Sequence, residues 1–309
     1  MINQSSVTTF ILVGFSEYPH LQPPLFLMVM TIYTVTLVGN VGIILVRRIN
    51  PKLHTPMYFF LSHLFLDLCY SSVVPPKLLE ILIVEHRTIS LKGCMTQFFF
   101  GCACVIIEMF MLAVMAYDRF VAVCKPLLYT VAMSHKFCAL LVAGSYMWGG
   151  LGAAIITYTL VQLSYCEPGI IDHFSCEDSA IVSVSCSDPS LMVCLVISML
   201  NEVSSLLITM TSYVFLIVTI IKMPSKGGLR KAFSTCTSHL TAVSIFHGTI
   251  LLLYCIPNAK SSKLVVKVAT VLYTVLIPML NALIYSLRNK DVKETVKRLI
   301  SSKLHSQTI

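Results

Sequence analysis

The sequence predicts an all-α protein, a bundle of seven membrane-crossing helices, on three observations. The first is composition: 56% of the 309 residues are apolar and only 12% are charged, against about 45–50% and about 25% in an ordinary soluble domain. A surface that poor in charge does not dissolve, which disfavours a disordered chain, a soluble enzyme and a nucleic-acid binder. The second is the placement of the charges, which cluster between seven long intervals holding few or none. A bilayer core of about 30 Å takes roughly 20 helical residues at 1.5 Å each, and every interval supplies them. The third is the distribution of Lys and Arg, 16 of 22 of which fall in alternate connections and the C-terminal tail. Basic connections stay in the cytoplasm, so the N-terminus lies outside. The same bias absorbs the net charge of +8: the basic segments face anionic membrane lipid, and no nucleic acid is implied.

Hydrocarbon leaves backbone N–H and C=O groups nothing to bond but one another, so a crossing is a helix or a strand of a closed barrel. Barrel strands alternate apolar and polar residues, whereas these runs are continuous. Residues 1–24 read as an extracellular tail, its first sixteen uncharged and rich in Ser, Thr, Asn and Gln. Within it Asn3-Gln4-Ser5 matches the glycan acceptor pattern on the side where glycosylation occurs. The transmembrane domain spans 25–287, with crossings at about 25–46, 57–80, 95–120, 137–161, 191–221, 235–257 and 267–287. Residues 288–309 form a cytoplasmic tail, in which Val292, Val296, Leu299, Ile300 and Leu304 recur at helical spacing beside Lys293, Lys297, Arg298 and Lys303. That pattern is an amphipathic helix lying on the inner leaflet.

Three crossings carry one acid each in their interior: Asp67, Glu108 and Glu202. A lone ionised carboxylate there is costly, so it is paired, protonated or bound to a cation, and Asp67 and Glu108 are able to share one site. The outer connection from about Gln162 to Ser190 holds five acids and no Lys or Arg, and a loop of that length is a lid or a binding element. Of the twelve cysteines, Cys94, Cys166, Cys176 and Cys186 fall on the oxidising side. Four cysteines permit three pairings and spacing does not choose among them. A bridge from Cys94 to the loop would tie it over the bundle mouth, and Cys166 with Cys186 would close the remaining pair. The other cysteines lie within or below the membrane, as small apolar filler.

Several local strings are more specific. They are Gly39-Asn40 in the first crossing, Leu53-His54-Thr55-Pro56-Met57-Tyr58-Phe59-Phe60 entering the second and Met115-Ala116-Tyr117-Asp118-Arg119 ending the third. Further along come Ser212-Tyr213 in the fifth, Lys231-Ala232-Phe233-Ser234-Thr235-Cys236 with Ser238-His239-Leu240 in the sixth, and Pro278-Met279-Leu280-Asn281 with Ile284-Tyr285 in the seventh. Six such strings, in order and on the matching crossings, resemble the odorant (olfactory) receptor branch of the rhodopsin-like G-protein-coupled receptors over the whole chain. The chain departs from the family's usual pattern where Asn281-Ala282 replaces Asn-Pro, where Phe120 follows Asp118-Arg119 in place of Tyr, and where Tyr146 stands for Trp. Without that proline a backbone hydrogen bond is regained, so the seventh helix is expected to be straighter and harder to switch.

The resemblance implies a plasma-membrane, multi-pass receptor for small, mostly hydrophobic volatile ligands, bound between the outer halves of the helices. Helical spacing picks out the faces: Cys102, Val105, Ile106 and Met109 with Phe98 and Gly101 on the third crossing, and Ser198, Asn201, Glu202 and Ser205 on the fifth. His247, Leu251 and Tyr254 on the sixth and Thr274 on the seventh complete the set. Asn201, Glu202 and His247 are expected to line the pocket, since polar groups in hydrocarbon need partners. The resemblance also implies that Arg119, held by Asp118 at rest, engages Tyr213 and Tyr285 as a cytoplasmic crevice opens, with Asn281 part of the same switch. The partner is then a heterotrimeric stimulatory olfactory G protein that raises cyclic AMP. No cofactor is implied beyond a sodium ion near Asp67 and Glu108. No mid-membrane lysine is present for a retinal Schiff base, since Lys260, Lys263 and Lys267 sit near the outer boundary. An enzyme would need a nucleophile with its base or a ligand set such as His-Glu-x-x-His, and neither occurs. The alternative, a small-molecule membrane transporter, would show repeated halves, and seven crossings without a repeat do not.

Overall fold

The computed structural model describes residues 8–49, 58–84, 87–165, 168–186, 189–222, 226–255 and 263–281. Asn3, Cys166, Ala282, Tyr285 and the tail expected to carry the amphipathic helix lie outside the described residues.

The crossings are helices α1 (Gln22–Ile49), α2 (Tyr58–Ser71) with α3 (Pro75–Ile83), and α4 (Leu91–Cys124). After a short α5 (Tyr129–Ala132) come α6 (His135–Val161), the loop helix α7 (Asp178–Val182), α8 (Pro189–Ile221), α9 (Lys226–Cys255) and α10 (Lys263–Val271), which continues through a π-helical turn at Leu272–Leu276. Among the described residues, five stretches are long and apolar enough to cross a membrane on their own: Pro19–Val46, Leu91–Cys124, His135–Val161, Val193–Ile221 and Lys263–Asn281. The apolar part of α9 runs His239–Cys255. Leu27, Val38, Leu140, Met147 and Ile221 are exposed on the outside of the bundle, where hydrocarbon rather than water is their solvent.

Helix starts follow local chemistry. Ser90 and Ser134 cap α4 and α6 by accepting from the backbone N–H of Gly93 (3.1 Å) and Phe137 (3.4 Å), which satisfies donors the helix itself leaves orphaned. The second crossing, expected as one helix, is two. Pro75 and Pro76 open α3, and a proline has no N–H to give the preceding turn and collides with its carbonyl. Side chains take up the slack: Ser71 and Ser72 hydroxyls both donate to Leu68 O, and Gln97 Nε2 donates to Val73 O at 3.2 Å.

Helix α4 is the axis of the bundle, packed against α2, α6, α8 and α9. It meets α6 tightly at Gly149, where a Cβ would stand 2.4 Å from Ile107 Cγ1 and 3.1 Å from the Ala103 carbonyl. Only a residue without a side chain lets the two backbones meet there.

The second half of the N-terminal tail carries a strand. Strand β1 (Thr9–Leu12) pairs antiparallel with β2 (Thr88–Ser90) and parallel with β3 (Ile170–Ile171). Phe10 and Leu12 are fully buried while Thr9 and Ile11 face out, the alternation of a strand with one face on a core. Phe15 then stacks on Phe174 at 5.8 Å. The outer loop is thereby pinned at one margin to the N-terminal segment.

Candidate functional site

The lid is fastened at three further points. A disulfide joins Cys94, in the first turn of α4, to Cys176 in the loop, with 5.5 Å between their Cα atoms. Of the three pairings open on spacing, those that join Cys94 to another cysteine are thereby excluded. Cys186 is itself disulfide-bonded. Gln97 Oε1 accepts from the Cys176 N–H at 3.1 Å, one turn below the bridge. At the opposite margin Lys267 Nζ donates to Asp172 Oδ1 at 2.6 Å, and Lys263 Nζ donates to Asp172 Oδ2. Partial burial opposes ionisation of Asp172, but the two ammonium groups outweigh it and hold its carboxyl below the usual carboxylate range. Burial, aided by the charge of Lys267, lowers the neighbouring His173 to about 4, so its imidazole is neutral.

Beneath this lid lies a cavity of about 740 Å³. Cys102, Val105, Ile106 and Met109 of α4, Ser198 and Asn201 of α8, Tyr254 of α9 and Thr274 of the π-helical turn line it, together with Phe98 and Gly101. Four expected residues do not: Glu202, Ser205, His247 and Leu251, of which Ser205 is buried with its Oγ donating to the Glu202 carbonyl at 3.0 Å. Glu202 and His247 are fully buried against each other, Oε1 to Nδ1 at 2.9 Å. The need for a polar partner is met across the α8–α9 interface, not by a cavity wall. Leu251 is 37% exposed on the outer surface, because α9 is turned so that Ile250, Leu253 and Tyr254 face inward. Asn201 is itself engaged, its Oδ1 accepting from Trp148 Nε1 at 2.8 Å.

The lid, the second crossing, the outer end of α4 and the π-helical turn add residues that sequence reasoning did not assign to the cavity: Tyr70, Val74, Gln97, Glu177, Asp178, Ser179 and Tyr273. Glu177 follows the bridged Cys176 directly and Asp178 begins α7. Burial, with Asp178 alongside, pushes the Glu177 carboxyl up to about 8, and burial likewise raises Asp178. The acidity of the loop was the signal for them; that two acids would turn inward was not in it.

Deeper, Asp67 and Glu108 do share a site, and two further residues join them. Asn281 Nδ2 donates to Asp67 Oδ1 (3.2 Å) and to Glu108 Oε1 (2.8 Å), and His63 Nε2 stands 3.2 Å from Glu108 Oε1. Ligand atoms of His63, Asp67 and Glu108 lie within 4.8 Å of one another, all buried. His63 precedes Asp67 by four residues, one helical turn on the same face, and that spacing was the missed signal.

At the inner end, Asp118 Oδ1 accepts from the Tyr129 hydroxyl at 2.8 Å. The charge of Arg119 acts on the same carboxylate, to which α5 adds a phenol. Tyr213 is bonded to His239 Nδ1 at 2.6 Å with the rings stacked, linking α8 to α9.

Comparison with known proteins matches this architecture to one family. The olfactory receptor family pattern covers residues 29–303. Mouse olfactory receptor 1165 is 75% identical over 309 residues, 99% of this chain and 98% of its own. Human olfactory receptors 5D13 and 5D18 are 61% and 59% identical over 305 residues, each match covering 98% of this chain and 97% of the relative. With its helix bundle, its tethered outer loop and these relatives, the chain belongs to the olfactory receptor family and is a multi-pass membrane receptor for odorants.

Proposed function

We propose that the odorant enters from outside and is held in the cavity between α4, α8, α9 and the π-helical turn. The observation that carries this reading is the cavity itself: about 740 Å³, within the range of small-molecule sites, and roofed by a loop bridged through Cys94 and Cys176. A ligand that binds one arrangement of the helices better than another shifts their populations. The Tyr213–His239 and Asp118–Tyr129 contacts are the inner joints such a shift would rearrange, freeing Arg119 and Tyr213 for a cytoplasmic crevice. The partner at that crevice is a stimulatory olfactory-type G protein, with cyclic AMP as its output. Asn3 carries a glycan in this reading.

The Asp67–Glu108 site fits a small cation such as sodium. Two buried carboxylates converge there, and among the described residues Asp67 Oδ2 has no hydrogen-bond partner, which is costly unless a charge compensates it. When bound, the cation would neutralise the pair; Asp67 and Glu108 would hold it, and Asn281 would orient both carboxylates.

The test is cyclic AMP accumulation in cells carrying the receptor with and without the stimulatory olfactory G protein, across an odorant panel. A response that needs the G protein and vanishes in Arg119→Ala, with surface receptor retained, is the expected result. Uptake of odorant independent of the G protein would instead identify a transporter.

A further inference from the structure

Resting on the reading that this cavity holds the ligand, we infer that the ligand is recognised through a carbonyl oxygen set against Asn201, and that Trp148, on the lipid-facing side, fixes which end of Asn201 meets it. Asn201 lines the cavity from α8 and is only 5% exposed. Its carboxamide is held at both ends. Trp148 Nε1 donates to Oδ1 at 2.8 Å, and Nδ2 donates to the Ile197 carbonyl, one turn earlier, at 2.9 Å. The two ends of a carboxamide are nearly equal in size and opposite in role, and an indole N–H only donates, so it selects the oxygen end. Nδ2 carries two hydrogens, of which Ile197 takes one. What the side chain keeps for a guest is the second N–H, a donor.

Trp148 acts from outside the lining. It stands on α6, 53% exposed on the surface of the bundle, with its ring edge-on to Phe110 at 6.4 Å. Hydrocarbon offers its N–H no other acceptor, so the bond to Asn201 is retained. The hydroxyls that share this part of the lining are engaged within the protein: Ser198 with Tyr254, and Thr274 Oγ1 with the Thr270 carbonyl at 2.7 Å. A ketone accepts the Asn201 N–H and has no proton of its own to place. An alcohol of the same skeleton also brings an O–H, and the acceptor end of Asn201 is already taken by the indole. Trp148 is thus a positioning residue for ligand selectivity, and Asn201 the residue through which it works.

Heptan-2-one with heptan-2-ol, and cyclohexanone with cyclohexanol, are the paired probes, applied to cells bearing the full-length receptor with cyclic AMP as readout. Within a pair the ketone is expected to act at concentrations roughly threefold to tenfold below the alcohol. Trp148→Phe keeps a ring against Phe110 but has no N–H, so the carboxamide is free to turn and the ketone-to-alcohol potency ratio is expected to fall to about one. Asn201→Ala is expected to level the pair by itself, with Trp148→Phe adding nothing to it. A merely structural role for Trp148 would instead weaken both members of a pair by one common factor. Surface staining normalises each variant; if Asn201→Ala is not displayed, Trp148→Phe alone carries the comparison. Equal or greater potency of the alcohols, silence of the ketones, or a ratio unmoved by Trp148→Phe overturns carbonyl recognition and leaves the receptor reading standing. The cavity reading fails separately if Val105→Trp, which fills the space between the helices, leaves every response unchanged.

Discussion

Glu202 and His247 stand 2.9 Å apart across the α8–α9 interface with essentially no solvent exposure, while their other polar atoms, Glu202 Oε2 and His247 Nε2, find no hydrogen-bond partner among the described residues. Each is the other's compensation for burial. Glu202→Ala therefore leaves an imidazole orphaned and is expected to cost about 1–3 kcal/mol, read as a lower melting temperature of the purified receptor. Glu202→Ala with His247→Ala together should cost less than the sum of the single changes, and additive losses would show that the pair is not coupled. Since neither residue lines the cavity, Glu202→Gln is expected to shift the potency of all odorants by one common factor.

The bridge between Cys94 and Cys176 closes a loop with a sequence separation of 82. Cys176→Ser is expected to lose about 2–4 kcal/mol, measured as a fall in surface display and faster proteolysis of the outer loop. Wild-type display and protease resistance in that variant would show the clamp at Asp172 and the strands to be sufficient.

Acid should loosen the lid. Burial holds His173 neutral at about 4 against an ordinary 6.5, so between those values the unfolded loop binds more protons than the folded one. Stability is full above about 6.5 and declines as pH falls towards 4. Asp172, whose carboxyl the two lysines hold low, adds a loss that begins as pH falls through the ordinary carboxylate range and continues below it. Hydrogen exchange of 170–186 against pH reads this directly, and His173→Phe should flatten the upper part of the profile.

Gly149→Ala places a methyl 2.4 Å from Ile107 Cγ1 and 3.1 Å from a backbone carbonyl. Overpacking of this kind costs about 1–3 kcal/mol. Trimming Ile107 to Ala in the same chain should restore part of the loss, because the side-chain clash goes and the backbone contact stays. Thermal denaturation of the single and double variants separates the two.

The crossings were legible because hydrocarbon penalises every fixed charge, so a charge-poor run of roughly twenty residues marks a crossing. The faces of α4 were legible for a related reason: Cys102, Val105, Ile106 and Met109 recur at one helical turn, and a straight helix keeps them together. On α9 the same logic, started from His247, selected Leu251 and missed Ile250, since periodicity gives spacing but not rotation about the axis. For Glu202 the requirement of a partner was readable and the partner's identity was not. Strand β1 escaped notice because four alternating residues are too few to stand out beside a polar tail. Pro75 and Pro76 were visible, but whether they bend a crossing or split it depends on what bonds the freed carbonyls, and Gln97 lies in another helix.

Gln97 touches both the gap in the second crossing, through Val73 O, and the roof, through the Cys176 N–H. One carboxamide is thus the shared hinge pin of two parts that are distant along the chain. Any tug on the roof by a guest below it is delivered, within one side chain's length, to the weakest point of the neighbouring crossing.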